Sequence, residues 1–173
     1  GRLICDALDQ LNYRIVVVEI DEGRLGDTEL QDYHADVPAL CADARNPETL
    51  RYAGLTHSHC AGVLALTNDD DVNLAIAISA KLLAPRLPSL CRAESRDTAA
   101  NMASFGTRHI INPFEKFSEY LALALHSPSA WQLLIWLTSL PGATVERHRD
   151  PPRDAWLLCG HGRFGRFIVE AME

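Results

Sequence analysis

An α/β fold built on a doubly wound parallel sheet is predicted by three observations. Short apolar runs alternate with helical patterns along nearly the whole chain. The triplet Gly160-x-Gly162-x-x-Gly165 stands between an apolar run, Trp156 to Cys159, and an apolar-periodic helix. Residues 1–8, Gly-Arg-Leu-Ile-Cys-Asp-Ala-Leu, lie over residues 165–172, Gly-Arg-Phe-Ile-Val-Glu-Ala-Met, with four identities, so the sequence spans one repeat period of 164 residues.

Each element follows from its residues. Leu3, Ile4, Ala7, Leu8 and Leu11 share one face of a helix over 2–12. Strand 14–20 is followed by a polar helix near 23–33, and Ala39 to Ala42 form the next short strand. Asn46-Pro47-Glu48 opens a helix with proline in its first turn, and Gly54 stops it. Gly62 to Thr67 is a buried strand; Asn68 to Asp71 lead into a helix over 72–83, with acids where the helix dipole favours them. Asp70 or Asp71 is the expected cap. Strand 89–93, helix 96–105 closed by Gly106, and strand 109–111 come next. Pro113 starts an apolar helical region to about 139, split near Pro128.

These pieces define a first domain over 1–140, a linker over 141–153 containing Pro151-Pro152, and the first strand, glycine loop and first helix of a second copy over 154–173. The expected strand order is 3-2-1-4-5-6. The first domain supplies strands two to six, and a sheet lacking its central strand would bury two rows of unpaired backbone groups. Either that strand lies upstream, or residues 155–160 fill its place by exchange, in the same or a neighbouring chain. Exchange would set helix 164–173 against helix 2–12 for one position.

Composition narrows the function. The net charge of −7, with lysine only at Lys81 and Lys116, argues against nucleic-acid or anionic-lipid surfaces. A content of 47% hydrophobic and 23% charged residues suits a globular chain, and no apolar stretch reaches a membrane span, so no direct membrane insertion is expected. The five cysteines have no C-x-x-C spacing and read as small buried hydrophobes. Asp69-Asp70-Asp71 and His57-x-His59-Cys60 lack full ligand sets, so no metal site is expected. No catalytic residue stands out.

Glycine triplets at a strand-to-helix turn let backbone approach a pyrophosphate, with helix N–H groups facing it. If Gly1 is the last glycine of an earlier copy, an acid is due some 20 residues on. Glu19, in Val18-Glu19-Ile20-Asp21, meets it as a ribose-diol acceptor; the alternative is a solvated strand-end acid. Its charge would repel a 2′-phosphate, so NAD(H) or an adenine nucleotide is expected, not NADP. Asp43 is either a ligand residue or a helix cap. Thr67 and Asn68 end a strand at the crevice where open α/β sheets bind ligands, or merely start a turn. Arg92, on an apolar strand, reaches a phosphate or pairs with an acid such as Asp43 or Glu94.

Val18-Glu19-Ile20-Asp21, Ala42-Asp43-Ala44 with Asn46-Pro47 and Gly54-Leu55, Ala65-Leu66-Thr67-Asn68-Asp69-Asp70-Asp71-Val72-Asn73-Leu74, Arg92, and Phe105-Gly106 through Asn112-Pro113 together resemble the RCK/KTN (TrkA-N) family of regulators of potassium conductance. The resemblance implies a Rossmann-like lobe with C-terminal crossover helices. It also implies a nucleotide site at Gly1, Glu19, Ile20, Asp21, Asp43, Ala44, Thr67, Asn68 and Arg92, with a second loop at Gly160, Gly162, Arg163, Phe164 and Gly165. Ala42 stands where the family usually has glycine, and Glu19 where it usually has Asp. Implied partners are a potassium channel or transporter membrane subunit and a second copy, paired through 114–139, with higher oligomers open; charged residues at Trp131 and Leu134 should break the pair. The implied location is cytoplasmic, attached to an inner-membrane potassium transport protein. A regulatory binding module is thus expected rather than an enzyme. The alternatives are the cofactor domain of an NAD-dependent dehydrogenase or reductase, and a structural lobe without ligand.

Overall fold

The computed structural model describes residues 2–29, 33–139, 142–144, 151–152 and 155–172. They fall into two compact units, 1–111 and 112–173. The first unit alternates α1 (Arg2–Gln10), β1 (Val17–Glu19), α2 (Glu22–Glu29), β2 (Ala39–Cys41), α3 (Pro47–Tyr52), β3 (Val63–Ala65), α4 (Asp70–Leu83), β4 (Ser89–Arg92), α5 (Arg96–Ser104) and β5 (His109–Ile111). All strand pairing is parallel, as β1-β2 and as β3-β4-β5. Those are the neighbours that the expected order gives once its central strand is left out. The α/β class with parallel strands and flanking helices is therefore the one predicted.

Boundaries differ from expectation where a particular contact intervenes. The first helix stops at Gln10 because Asn12 takes φ 60, while Tyr13 N donates to Leu8 O at 2.9 Å. The ladder of β1 begins at Val17, whose N–H donates to Pro38 O; proline has no N–H to extend it. The α4 helix starts two residues early because its cap is Asp69, accepting from Asp71 N and Val72 N, not Asp70 or Asp71. Gly54, at φ +97, ends α3.

The apolar core gathers on the β3-β4-β5 side, where Leu50, Leu55, Ala65, Ile76, Ala77, Ala80, Cys91, Ala93 and Met102 are buried together. Among the cysteines only Cys91 is fully buried, its thiol pushed up to about 11 by that burial. Cys5 and Cys60 are half-buried, and Cys41 and Cys159 exposed, since β2 and residues 155–160 have lighter cover than expected.

The most deeply buried polar side chain beside this core is that of Asn73. Asn73 is fully buried on the α4 face that carries Ile76, Ala77 and Ala80. Its Oδ1 accepts from Thr67 N (3.0 Å) and lies 2.9 Å from Thr67 Oγ1, and its Nδ2 donates to Thr67 O (3.0 Å) and Arg92 O (3.1 Å). The side chain thus acts like a short strand between the ends of β3 and β4. Asp70 adds a second tie, accepting from Glu94 N and Ser95 N. On the other side, buried Asp9 of α1 accepts from His34 N (2.8 Å), His34 Nδ1 (2.8 Å) and Ala35 N (3.2 Å).

The second unit holds α6 (Pro113–His126), α7 (Pro128–Thr138) and α8 (Arg163–Met172). Asn112 caps α6 through Phe114 N and Glu115 N. Phe164 of α8 packs against Phe114 and Phe117 of α6, with ring centroids 5.6 and 4.8 Å away. The expected strand at 155–160 is absent among the described residues: this unit offers it no other strand to pair with. No helix of the described residues is long and apolar enough to cross a membrane.

Replacing Asn73 with Ala strands Thr67 N, Thr67 O and Arg92 O in the interior, so the denaturant midpoint should fall by the equivalent of about 3 kcal/mol. A loss below about 0.5 kcal/mol would show that water replaces the amide. Hydrogen bonds from His34 N–H and ring, then Ala35, hold the Asp9 carboxyl below its ordinary 3.8. Its stabilisation is complete above that value and is lost as pH falls through the lowered one. The Tm gap between wild type and Asp9→Ala should be wide at pH 7 and narrow as the pH falls below about 4.

Candidate functional site

Parallel strands place their carboxyl ends on one side, and most of the expected site residues of the first unit stand there. Glu19 closes β1, half-buried, with Oε1 accepting from Ile20 N (2.9 Å) and Asp21 N (3.2 Å). The carboxylate is thus oriented by the turn that follows the strand. Ile20 is exposed, and Asp21 accepts from Gly23 N at 2.9 Å, which makes it a start signal for α2 rather than an open group.

Asp43 follows β2 and is gripped by Arg45. The guanidinium donates through Nε and Nη2 to both carboxylate oxygens at 2.7–3.1 Å, and Arg45 N adds 2.9 Å to Oδ1. This grip holds the Asp43 carboxyl below the usual range and raises Arg45, to which Asp69 adds. The loops after β2 and β3 therefore share one field. The helix cap beside them is Asn46, not Asp43, and Ala44 packs on the core.

Thr67 is committed to the turn: its backbone is held by Asn73, and its hydroxyl lies between Asp69 O (3.0 Å) and Asn73 Oδ1. Asn68 beside it is exposed. Arg92 ends β4 and pairs through Nη2 with Glu94 Oε1, one of the two acids expected, while its Nε is buried without a hydrogen-bond partner. Gly1 lies outside the described residues.

In the second unit the glycine loop is fully shaped. Gly160 has φ +108, and a Cβ on Gly165 would meet Gly160 O at 2.2 Å, so the first and third glycines are required by the turn itself. Arg166 N donates to Gly162 O at 3.1 Å. Arg163 and Phe164 turn toward α6, with the Arg163 guanidinium 5.7 Å from the Phe114 ring centre.

Three residues gain a role that the sequence reading had not given them. Arg45 neutralises Asp43, Asp70 fixes the loop after β4, and Asn73 fixes both Thr67 and Arg92. Asn73 did carry a signal, being a polar residue at the core-facing helical spacing 73, 76, 77, 80. Arg45 carried none beyond adjacency.

The TrkA-N domain family matches residues 1–113. An uncharacterized protein of Methanothermus fervidus is 32% identical over 116 residues, 65% of this chain; the chain spans 18% of that relative's length. Among solved structures, the TrkA-N domain of the inner membrane protein YbaL from Escherichia coli aligns with TM-score 0.62 at 22% identity, over 73% of this chain and 89% of that one. The GsuK channel bound to NAD aligns with TM-score 0.61 at 14% identity, over 72% of this chain and 21% of the channel chain. GsuK bound to ADP aligns with TM-score 0.60 at 15% identity, over 98% and 47%. At these identities the structural likeness is one of fold. The family match runs the length of the first unit, and the chain belongs to the TrkA-N domain family.

Proposed function

We propose that this chain is a regulatory nucleotide-binding module of a potassium transport protein, rather than an enzyme, and that it acts at the cytoplasmic side of the membrane. Glu19 is the observation that carries the reading: a half-buried carboxylate, oriented by two backbone N–H groups, at the carboxyl end of a parallel strand in a TrkA-N fold. Such a group accepts both hydroxyls of an adenosine ribose and repels a 2′-phosphate, which favours NAD(H), ADP, ATP or AMP over NADP. The NAD- and ADP-bound GsuK structures support the same ligand class. Asp43, Thr67, Asn68 and Arg92 line the same strand ends, and the loop Gly160 to Gly165 opens a second lobe of the same kind. Against catalysis, the polar groups along these strand ends are engaged with one another, as Asp43 with Arg45 and Arg92 with Glu94. The same ion pairs favour a second reading, a lobe that serves as structure without ligand.

The signal leaves through paired lobes. Helix α7 carries no charged residue, and Leu133 and Leu137, one turn apart, are 54% and 65% exposed in the single chain, whereas Trp131 is half-buried beside Tyr120 of α6. A second copy fits that face, because an uncharged helix turned to water is stabilised by covering it. Nucleotide would then act by favouring one angle between paired lobes over another.

Calorimetric titration with NAD, NADH, ADP, ATP, AMP and NADP tests the ligand. Binding of the first five with weak or no binding of NADP is expected, and silence with all six would leave the structural lobe. Glu19→Ala should weaken an adenosine ligand roughly 10- to 100-fold, the loss of charge-assisted hydrogen bonds; unchanged affinity would remove Glu19 from the site. For pairing, Leu133→Asp with Leu137→Asp should leave α7-mediated dimers as monomers in light scattering, with the helical content of the chain preserved. Dimers that persist at unchanged mass in the doubly substituted chain would rule out this face.

A further inference from the structure

The carboxyl ends of β1 and β2 are held side by side. Cys41 stands opposite Glu19, and Ala42 N donates to Glu19 O at 3.0 Å. Asp43 and Arg45 follow directly on a strand that runs about 4.8 Å from the one carrying Glu19. A purine is joined to the ribose carbon next to the 2′-hydroxyl, so a nucleotide whose diol rests on Glu19 brings its base to this neighbouring strand end.

Asp43 has no acceptor left to offer that base. Its Oδ1 takes Arg45 N at 2.9 Å and Nε at 3.1 Å, and its Oδ2 takes Nε at 2.9 Å and Nη2 at 2.7 Å, one contact for each carboxylate lone pair. A guanidinium carries five N–H donors, and only the Nε–H and one on Nη2 are engaged by Asp43. The second N–H of Nη2 and both on Nη1 have no acceptor among the described residues. The Asp43 hydrogen bonds, and then the charge of Asp69 in the loop after β3, hold Arg45 in its charged form. Bidentate pairing also fixes the plane of the fork. Because the pair is neutral as a whole, its outward donors suit an uncharged acceptor, such as a purine ring nitrogen or carbonyl, better than a phosphate. We propose that Arg45, rather than Asp43, reads the base of the bound nucleotide, which rests on Glu19 being the ribose acceptor. A fork of donors matches a 6-oxo purine, which offers O6 and N7, and meets N7 alone on that edge of adenine; a carboxylate instead matches the 6-amino group. The site therefore takes 6-oxo purine nucleotides alongside adenine ones.

Calorimetric titration of the full chain with ADP and with inosine diphosphate tests this, since the two share ribose and diphosphate and differ only at N1 and the 6 position of the base. Wild type should bind inosine diphosphate no worse than about 10-fold more weakly than ADP, whereas a site that reads the amino group rejects the analogue lacking it far more strongly. Arg45→Gln removes the fork, frees the Asp43 oxygens for a 6-amino group and turns them against a 6-oxo group. The ratio of ADP to inosine diphosphate affinity should then rise at least about 10-fold, and general effects of charge on the shared diphosphate cancel from that ratio. A stronger ADP preference than this in wild type, or a smaller rise in Arg45→Gln, would overturn the role of Arg45 even where Glu19→Ala weakens ADP and so keeps the nucleotide site. Silence of wild type with both ligands would overturn the nucleotide site and the role of Arg45 together.

Discussion

The amide of Asn73 is the constraint on which the carboxyl ends of β3 and β4 depend. Parallel strands end without a hairpin to lock them together, so the separation of neighbouring strand ends needs another device. Here a helix sends one side chain back into the sheet, filling donor and acceptor positions on Thr67 and an acceptor on Arg92. A buried amide satisfied on both its oxygen and its nitrogen specifies position as well as adding stability, because any shift leaves a polar atom stranded. Asp70, three residues earlier in α4, extends the tie to the loop after β4. The first turn of one helix thus fixes two of the strand ends at which candidate ligand residues stand.

Charge at those ends is arranged for orientation more than for strength. Asp43 with Arg45 and Arg92 with Glu94 are close pairs, yet Asp43 and Arg45 are well exposed to solvent, and such pairs contribute little to stability. What they do is hold each guanidinium in one place and prevent a row of acids from repelling itself. A phosphate arriving here would meet cations already paired, and would have to compete with carboxylates or rely on backbone N–H groups.

Much of this was legible in the residues because the fold is written in periodicity. The five strands of the first unit and the helices between them follow from apolar runs and caps, and Asn46, Gly54 and Gly106 mark their boundaries in the expected way. Boundaries shifted where a backbone conformation, a cap or a distant partner intervened, as with Asn12, Asp69 and Pro38 in turn, and apolar periodicity reveals none of the three. The strand at 155–160 shows the same limit. Its composition fits a strand, but a strand exists only with a neighbour, and pairing is not a property of one segment. At the candidate site, Glu19 and Arg92 stand out once one asks what charge does on an apolar strand. The engagement of Asp43 by Arg45 could not, because both readings of that acid were compatible with the same residues.

The contact between Gly165 and Gly160 has a thermodynamic consequence. With a carbonyl oxygen only 2.2 Å from where a Cβ would sit, the turn is set by covalent geometry and packing before anything binds to it. A loop already fixed has little conformational entropy left to surrender. An anion meeting its N–H groups would therefore keep most of the interaction free energy as affinity, instead of losing part of it to ordering the backbone. Any side chain at 165 would open the turn, so rigidity and close approach are lost together.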